Sequence, residues 1–247
     1  MSALLQNKVA IVTGSARGIG ASVAVELARN GANVVINYVS PSSKTRAEEV
    51  AKTVEGLGSK ALVVQADLAK VQDLENLVNE TVAAFGKIDI LVNNGGVGNF
   101  APIGNISLEN YQKVFDINVR AIIFLSQAVV AHMDKEGRII NVSSVAARLG
   151  SPGTTVYAGS KAAVEGITRV RGIELRDKGI RVNAVAPGPV TTDMFTTLDK
   201  ETQEHFRSKF PVGEASDIAN SVLFLASSAS GWITSTTLNT NNGVILN

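Results

Sequence analysis

Short apolar runs alternate along the chain with longer amphipathic stretches. Val9 to Thr13, Val34 to Asn37, Ala61 to Gln65, Ile88 to Asn93, Arg138 to Ser143 and Arg181 to Ala186 are rich in Val and Ile and almost unbroken by polar residues. Runs of that kind read as strands covered on both faces. The stretches between them carry helical spacing, most clearly Val71, Leu74, Leu77, Val78, Val82 and Phe85, an i, i+3, i+4, i+7 stripe. Further helices are predicted to start near Arg17, Ser43, Ser107, Thr155 and Ser216. Strands alternating with helices through parallel crossovers imply an α/β fold with a doubly wound parallel sheet and helices on both faces. No internal repeat, low-complexity segment or Pro/Gly/Ser-rich linker interrupts residues 1–247, so the chain reads as a single domain.

Composition narrows the function. Hydrophobic residues make up 45% and charged residues 18%, ordinary values for a folded protein with ample core material. A net charge of +1 gives no reason to expect nucleic acid or an anionic membrane as partner. Cysteine is absent, which removes disulfides, thiolate nucleophiles and zinc–thiolate sites together. His132 and His205 are the two histidines, so no histidine-based metal site is expected. The N-terminus has no basic region followed by an apolar stretch, and no apolar run reaches about 18 residues. The triplets at Asn79, Asn105 and Asn141 therefore carry no weight as glycosylation sites. The expectation is a cytoplasmic enzyme or binding protein.

In an open parallel sheet, ligands bind beyond the carboxyl ends of the strands. Thr13-Gly14 follows the first predicted strand, Asn37-Tyr38 the second and Asp67 the third. Asn93-Asn94-Gly95-Gly96 follows the fourth, Ser143-Ser144 the fifth and Pro187-Gly188 the sixth. Loops need such residues for turns in any case; the spacing between motifs is more informative. Gly14, Gly18 and Gly20 are spaced G-x-x-x-G-x-G, a departure from the G-x-G-x-x-G dinucleotide fingerprint. Lying between a strand and a helix, they let the backbone approach a pyrophosphate at free helix N–H groups.

Tyr157 and Lys161 stand four apart, on one face of a predicted helix. A neighbouring ammonium favours phenolate. Bringing a phenol from its ordinary pKa of about 10 to neutrality takes about 4 kcal/mol of preferential phenolate stabilisation. Tyr-x-x-x-Lys alone occurs on many helices, and the surrounding motifs give it its meaning here.

Thr13-Gly14-x-x-x-Gly18-x-Gly20, Asn93-Asn94-Gly95, Ser144, Tyr157-x-x-x-Lys161 and Pro187-Gly188 together resemble the short-chain dehydrogenase/reductase family, from about residue 7 to the C-terminus. Members similar to this chain include 3-oxoacyl carrier-protein reductases and fungal polyketide ketoreductases. The resemblance implies a single-domain, Rossmann-like sheet of about seven strands, a nicotinamide cofactor, and hydride transfer between it and a carbonyl or alcohol. It makes Tyr157 the general acid and gives Lys161 the tasks of lowering its pKa and holding the nicotinamide ribose. Ser144 would hydrogen-bond the substrate oxygen; family spacing prefers it to Ser143. Asn118 would anchor a proton relay. Its place on the apolar stripe Tyr111, Phe115, Ile122, where an unpaired amide would cost about 1–3 kcal/mol, supports that role; the alternative is a core asparagine satisfied by a neighbouring strand.

For the cofactor, the resemblance assigns Gly14, Ser15, Arg17, Gly18, Ile19 and Gly20 to the phosphate turn, and Asp67 and Leu68, with Asn94 and Gly95, to the adenosine side. Pro187, Gly188, Val190 and Thr192 would meet the nicotinamide. No Asp or Glu occurs between Glu26 and Glu48, where an NAD enzyme needs an acid for the ribose 2′-OH. Asn37, Tyr38 and Ser40 occupy the end of the second strand instead. Arg17, Ser40, Ser42 and Lys44 can serve a 2′-phosphate, so the expected cofactor is NADP(H). Asn37→Asp would then shift preference toward NADH.

Three departures from the family pattern stand out: Gly96 in an Asn-Asn-Gly-Gly run, a shortened segment between Pro211-Val212-Gly213 and Asp217-Ile218-Ala219, and Ser235 where a glycine is usual. The expected substrate walls are residues 96–103, 145–156 and 194–210, with Phe100, Phe195 and Phe206. They suit a neutral, partly hydrophobic small-molecule carbonyl. The leading expectation is an NADPH-dependent carbonyl reductase; an NAD-linked alcohol dehydrogenase and a non-catalytic dinucleotide binder are the alternatives. A homotetramer is expected, because the helix predicted over Ser107 to His132 is apolar around much of its circumference.

Overall fold

The computed structural model describes residues 3–98, 100–196 and 200–245, without the side chains of Met194, Thr202 and His205. Seven strands lie in the order β3-β2-β1-β4-β5-β6-β7, with every pairing parallel. They are β1 (Val9–Val12), β2 (Asn33–Tyr38), β3 (Ala61–Gln65), β4 (Ile90–Asn93), β5 (Arg138–Val142), β6 (Arg181–Pro187) and β7 (Thr237–Thr240). Alternate strand residues face opposite layers. Ala10 and Val12 pack beneath helices α1 (Gly18–Arg29), α2 (Lys44–Gly56) and α9 (Ala215–Ala226), with Val23, Leu27, Val54 and Val222. Ile11 faces the other way, toward α3 (Val71–Phe85) and α5 (Ala121–Val130), with Leu74, Leu77 and Leu125. Burial on both faces explains why the strands read as continuous apolar runs.

The strand order reverses between β1 and β4, which opens a crevice at their carboxyl ends. α4 (Leu108–Phe115) does not run straight into α5. A single π-helical turn, Asp116–Arg120, joins them and contains Asn118. Such turns redirect side chains inside a helix. The remaining helices are α6 (Thr155–Glu174), which packs against β6 and that π turn, and the short α7 (Asp193–Thr196) and α8 (Lys200–Lys209). No helix among the described residues is long and apolar enough to cross a membrane.

The apolar pattern of the sequence does not mark β7, because Thr-Leu-Asn-Thr is polar and sits at the sheet edge. Ser235, just before it, keeps the left-handed backbone that glycine would adopt freely, at φ 62°. Its N–H donates to the Val182 carbonyl at 2.8 Å, which holds that conformation in place.

Candidate active site

The glycine turn after β1 is locked to the loop after β4. Thr13 Oγ1 accepts the N–H groups of Asn94 and Gly95 at 3.0 and 2.9 Å. Asn94 Nδ2 donates back to the carbonyls of Thr13 and Gly14 at 2.9 and 3.2 Å. This proximity leaves no room for side chains. A Cβ on Gly20 would lie 2.5 Å from both Asn94 Nδ2 and the Gly14 carbonyl, and one on Gly95 would collide with Leu68. Gly14 and Gly18 also take positive φ, 61° and 56°. Thr192 lies across the turn, its Cγ2 3.5 Å from where a Gly18 Cβ would stand. Helix α1 begins at Gly18 with no side-chain cap, so its first N–H groups remain available to a phosphate. The cradle fits a dinucleotide pyrophosphate.

Three residues assigned to the cofactor have side chains buried in the fold. Ser15 is fully buried; its hydroxyl donates to the Val12 carbonyl at 2.7 Å and accepts the Asn37 N–H at 3.0 Å. Asn37 is buried as well. Its Oδ1 accepts the Gly14 N–H at 3.0 Å, while Nδ2 donates to the carbonyls of Ala66 and Tyr38 at 3.0 and 3.3 Å. No hydrogen-bonding capacity of Asn37 is turned toward a ribose, so the expected cofactor switch on Asn37→Asp does not follow from this geometry. Tyr38 is also buried, in the core beneath α1 and α2.

The cationic side of the cleft has a member that sequence reasoning missed. Arg17 and Arg46 converge on Asp193, with Nη1 to Oδ2 distances of 2.8 and 3.0 Å. The Arg17 hydrogen bond, helped by both guanidinium charges, holds the Asp193 carboxyl below the usual carboxylate range. One oxyanion position is thus gripped by two guanidinium groups beside the glycine turn, in a cavity also lined by Ala16, Val50 and Thr53. Lys44, expected there, pairs instead with Glu48 along α2 at 3.8 Å. Ser40 bonds Ser42 and Ser43 at 2.8 and 3.0 Å. Asp67 Oδ1 accepts the Ala69 N–H at 3.0 Å, which shapes the turn after β3.

Across the crevice, β5 and α6 bring Ser144, Tyr157 and Lys161 together. Ser144 is extended, and its hydroxyl accepts the Ala146 N–H at 3.1 Å. Tyr157 keeps part of its surface open, but crowding of protein around its hydroxyl pushes the phenol's pKa up, with the Ser144 hydroxyl pulling the other way. Lys161 is buried; Nζ donates to the Val142 carbonyl at 2.7 Å and stands 5.8 Å from the Tyr157 ring centre. Burial lowers its pKa to about 8. The lowering of Tyr157 by Lys161 expected from sequence is not the dominant influence on the phenol in this structure. Desolvation of the phenol outweighs the Ser144 hydrogen bond.

Asn118 is fully buried, and both its donors are used: Oδ1 accepts the Val97 N–H at 2.9 Å, and Nδ2 donates to the Val97 carbonyl and Ser160 Oγ at 2.9 and 3.0 Å. Gly96 fits between this amide and the lysine; a Cβ there would lie 3.2 Å from Asn118 Oδ1 and 3.5 Å from Lys161 Nζ. Pro187 ends β6, and Gly188 lies against Asn241. Val190 is buried.

Of the expected substrate walls, Phe100 meets the Tyr157 ring edge-on at 6.0 Å, and Phe195 packs on Phe206 at 6.3 Å. Asn99, residues 197–199 and the side chain of Met194 lie outside what the structure describes.

A family profile described as enoyl-(acyl carrier protein) reductase matches residues 14–245. Hydroxynaphthalene reductase arp2 of Aspergillus fumigatus is 42% identical over 245 residues, covering 93% of this chain and 89% of that protein. A 3-oxoacyl-(acyl-carrier-protein) reductase of Staphylococcus epidermidis is 37% identical over 245 residues, covering 97% and 100%. A short-chain dehydrogenase from Burkholderia cenocepacia, solved in complex with NADP, superposes with a TM-score of 0.93 at 38% identity, over 97% of this chain and 98% of that one.

Proposed function

The chain belongs to the short-chain dehydrogenase/reductase family, and we propose that it uses NADPH to reduce a ketone to an alcohol in one domain that both binds the cofactor and carries the chemistry. The observation that carries this reading is the meeting of Ser144, Tyr157 and the buried Lys161 at the carboxyl end of the sheet, where the glycine cradle also opens.

With its pyrophosphate in that cradle, the dinucleotide would supply from its nicotinamide the hydride that the carbonyl carbon accepts. Tyr157 gives its phenolic proton to the carbonyl oxygen, which becomes basic as the carbonyl carbon takes up the hydride. The Ser144 hydroxyl donates to the same oxygen and steadies charge as it develops. Lys161 stands behind Tyr157 to stabilise the phenolate left after transfer and to bind the nicotinamide ribose. Asn118 fixes the Gly96–Val97 backbone against Lys161, which is its part in the relay that returns the proton.

The arginine pair supports the choice of NADP(H). Arg17 and Arg46 already grip one carboxylate oxygen, and an adenosine 2′-phosphate offers more charge and more acceptors at the same place than Asp193 does. Assembly as a homotetramer is part of this reading. Phe124 on α5 and Val170 and Ile173 on α6 are 40%, 56% and 62% exposed, an apolar surface that a second copy would cover.

The test is a small ketone panel followed by NADPH absorbance loss, with NADH in parallel. Ethyl acetoacetate represents 3-oxoacyl compounds and 1-tetralone represents bicyclic ketones. Reduction of either with NADPH at least about tenfold more efficiently than with NADH supports the reading. Equal use of both cofactors removes the phosphate argument, and dinucleotide binding without turnover of any carbonyl favours the non-catalytic alternative.

A further inference from the structure

Ser144 is the one member of the trio that does not sit on a helix. It begins the short turn Val145–Ala147, where its own hydroxyl and the backbone bonds from Arg148 and Leu149 to the Val145 carbonyl supply local order. The residues that bracket it are tied elsewhere. Ser143 Oγ lies 3.2 Å from the Lys161 carbonyl and 3.4 Å from Glu165 Oε1. Arg148 Nε donates to Glu165 Oε2 at 3.1 Å, and Arg148 Nη1 donates to Asn239 Oδ1 at 3.2 Å. One carboxylate on α6 therefore holds the Arg148 flank of the Ser144 segment directly and shares the Ser143 hydroxyl proton on the other flank with the Lys161 carbonyl. Glu165 follows Lys161 by four residues as Lys161 follows Tyr157, so all three project toward one side of α6.

We propose that Glu165 and Arg148 are positioning residues that set the distance between the Ser144 hydroxyl and the Tyr157 phenol. The proposal rests on the reading that Ser144 and Tyr157 bind the substrate oxygen together. Glu165 is 6% exposed and Arg148 has 28% of its side chain exposed, so the ion pair is partly buried. Such a pair is a weak source of stability, since an apolar pair of similar volume often serves as well. What it supplies here is direction. Arg148 Nε donates to the carboxylate from one end of the six-residue segment 143–148, and at the other end the Ser143 hydroxyl shares its one proton between the Lys161 carbonyl and Glu165 Oε1, so both ends are held against α6 and the segment has little freedom to slide. Asn239 adds a hold from β7, so α6, the segment and the sheet edge are joined at one guanidinium. A donor misplaced by an ångström from a developing oxyanion loses much of its effect.

The experiment compares Glu165→Gln, Arg148→Met, Arg148→Lys and the double variant Glu165→Gln/Arg148→Met with Ser144→Ala, using whichever of ethyl acetoacetate and 1-tetralone the wild type reduces faster. Thermal midpoints and NADPH affinity by fluorescence titration accompany kcat and KM. Each charge-removing single variant is expected to lower kcat about tenfold or more while leaving NADPH affinity within about twofold. The double variant, which buries no unpaired charge, is expected to recover the thermal midpoint of the wild type and yet stay as slow as the singles. Arg148→Lys should regain part of kcat. If the double variant recovers kcat along with its midpoint, or Glu165→Gln turns over at the wild-type rate while Ser144→Ala is slow, the pair is structural and the proposal is overturned. Wild-type turnover by Ser144→Ala would instead overturn the reading of the site, and the positioning role with it.

Discussion

Asn37 Oδ1 accepts the Gly14 N–H at 3.0 Å, and the same side chain donates from Nδ2 to the Ala66 carbonyl at 3.0 Å. One buried amide thus ties the glycine turn after β1 to the end of β3, and it uses its acceptor on one side and its donors on the other. An aspartate can keep the first bond but not the second, and would set a carboxylate against the carbonyl oxygens of Ala66 and Tyr38. Asn37→Asp should therefore destabilise the fold by about 2 kcal/mol or more, with no gain in NADH efficiency. Thermal denaturation and the two cofactor efficiencies check this together; a stable variant with reversed preference would contradict it.

Cofactor selectivity is expected to follow Arg46 instead. Arg46→Ala removes one of the two guanidinium groups beside the glycine turn and leaves the turn intact. NADPH affinity should fall about tenfold, roughly 1.4 kcal/mol, with NADH affinity unchanged. Fluorescence titration with both dinucleotides measures it, and equal losses for the two would place the 2′-phosphate elsewhere.

Lys161 carries a stability cost that pH reveals. Its folded pKa, about 8, lies below the ordinary lysine value of 10.5. Below about pH 8 both folded and unfolded chains hold the proton, and the folded state bears the full desolvation penalty. Between about 8 and 10.5 the folded state gives up the proton while the unfolded state keeps it, so this group's contribution to stability rises with pH. Lys161→Met should raise the thermal midpoint at pH 7, the gain shrinking toward pH 10, while turnover is lost. A lower midpoint at pH 7 would mean that the bond to Val142 outweighs desolvation.

The apolar faces of α5 and α6 give an assembly prediction. The wild type should sediment as a tetramer, and Phe124→Glu combined with Ile173→Glu should shift it to smaller species without loss of the folded circular dichroism spectrum. A monomer of wild-type sequence across micromolar concentrations would contradict the assignment.

Residues whose meaning is local were legible in the sequence. Gly14, Gly18 and Gly20 sit where a strand meets a helix, and the four-residue spacing of Tyr157 and Lys161 places them on one helix face. The polar Asn118 in an apolar stripe signalled a special position, though the π turn that buries it has no sequence mark. The pairings of Arg46 with Asp193, 147 residues apart, and of Arg148 with Glu165 join segments that meet only after the sheet forms. The upward push on Tyr157 also escaped sequence reasoning. Spacing shows that Lys161 is near, whereas desolvation depends on everything packed around the phenol.

The central claim is that the Tyr157 phenol delivers the proton to the substrate oxygen. Tyr157→Phe removes that hydroxyl and keeps the ring, its contact with Phe100 and its place above Lys161. The measurement is ketone-dependent NADPH oxidation by this variant, with NADPH affinity determined on the same preparation. Turnover reduced by at least about a thousandfold with NADPH affinity within about twofold of the wild type is the predicted result; near-normal turnover would contradict it.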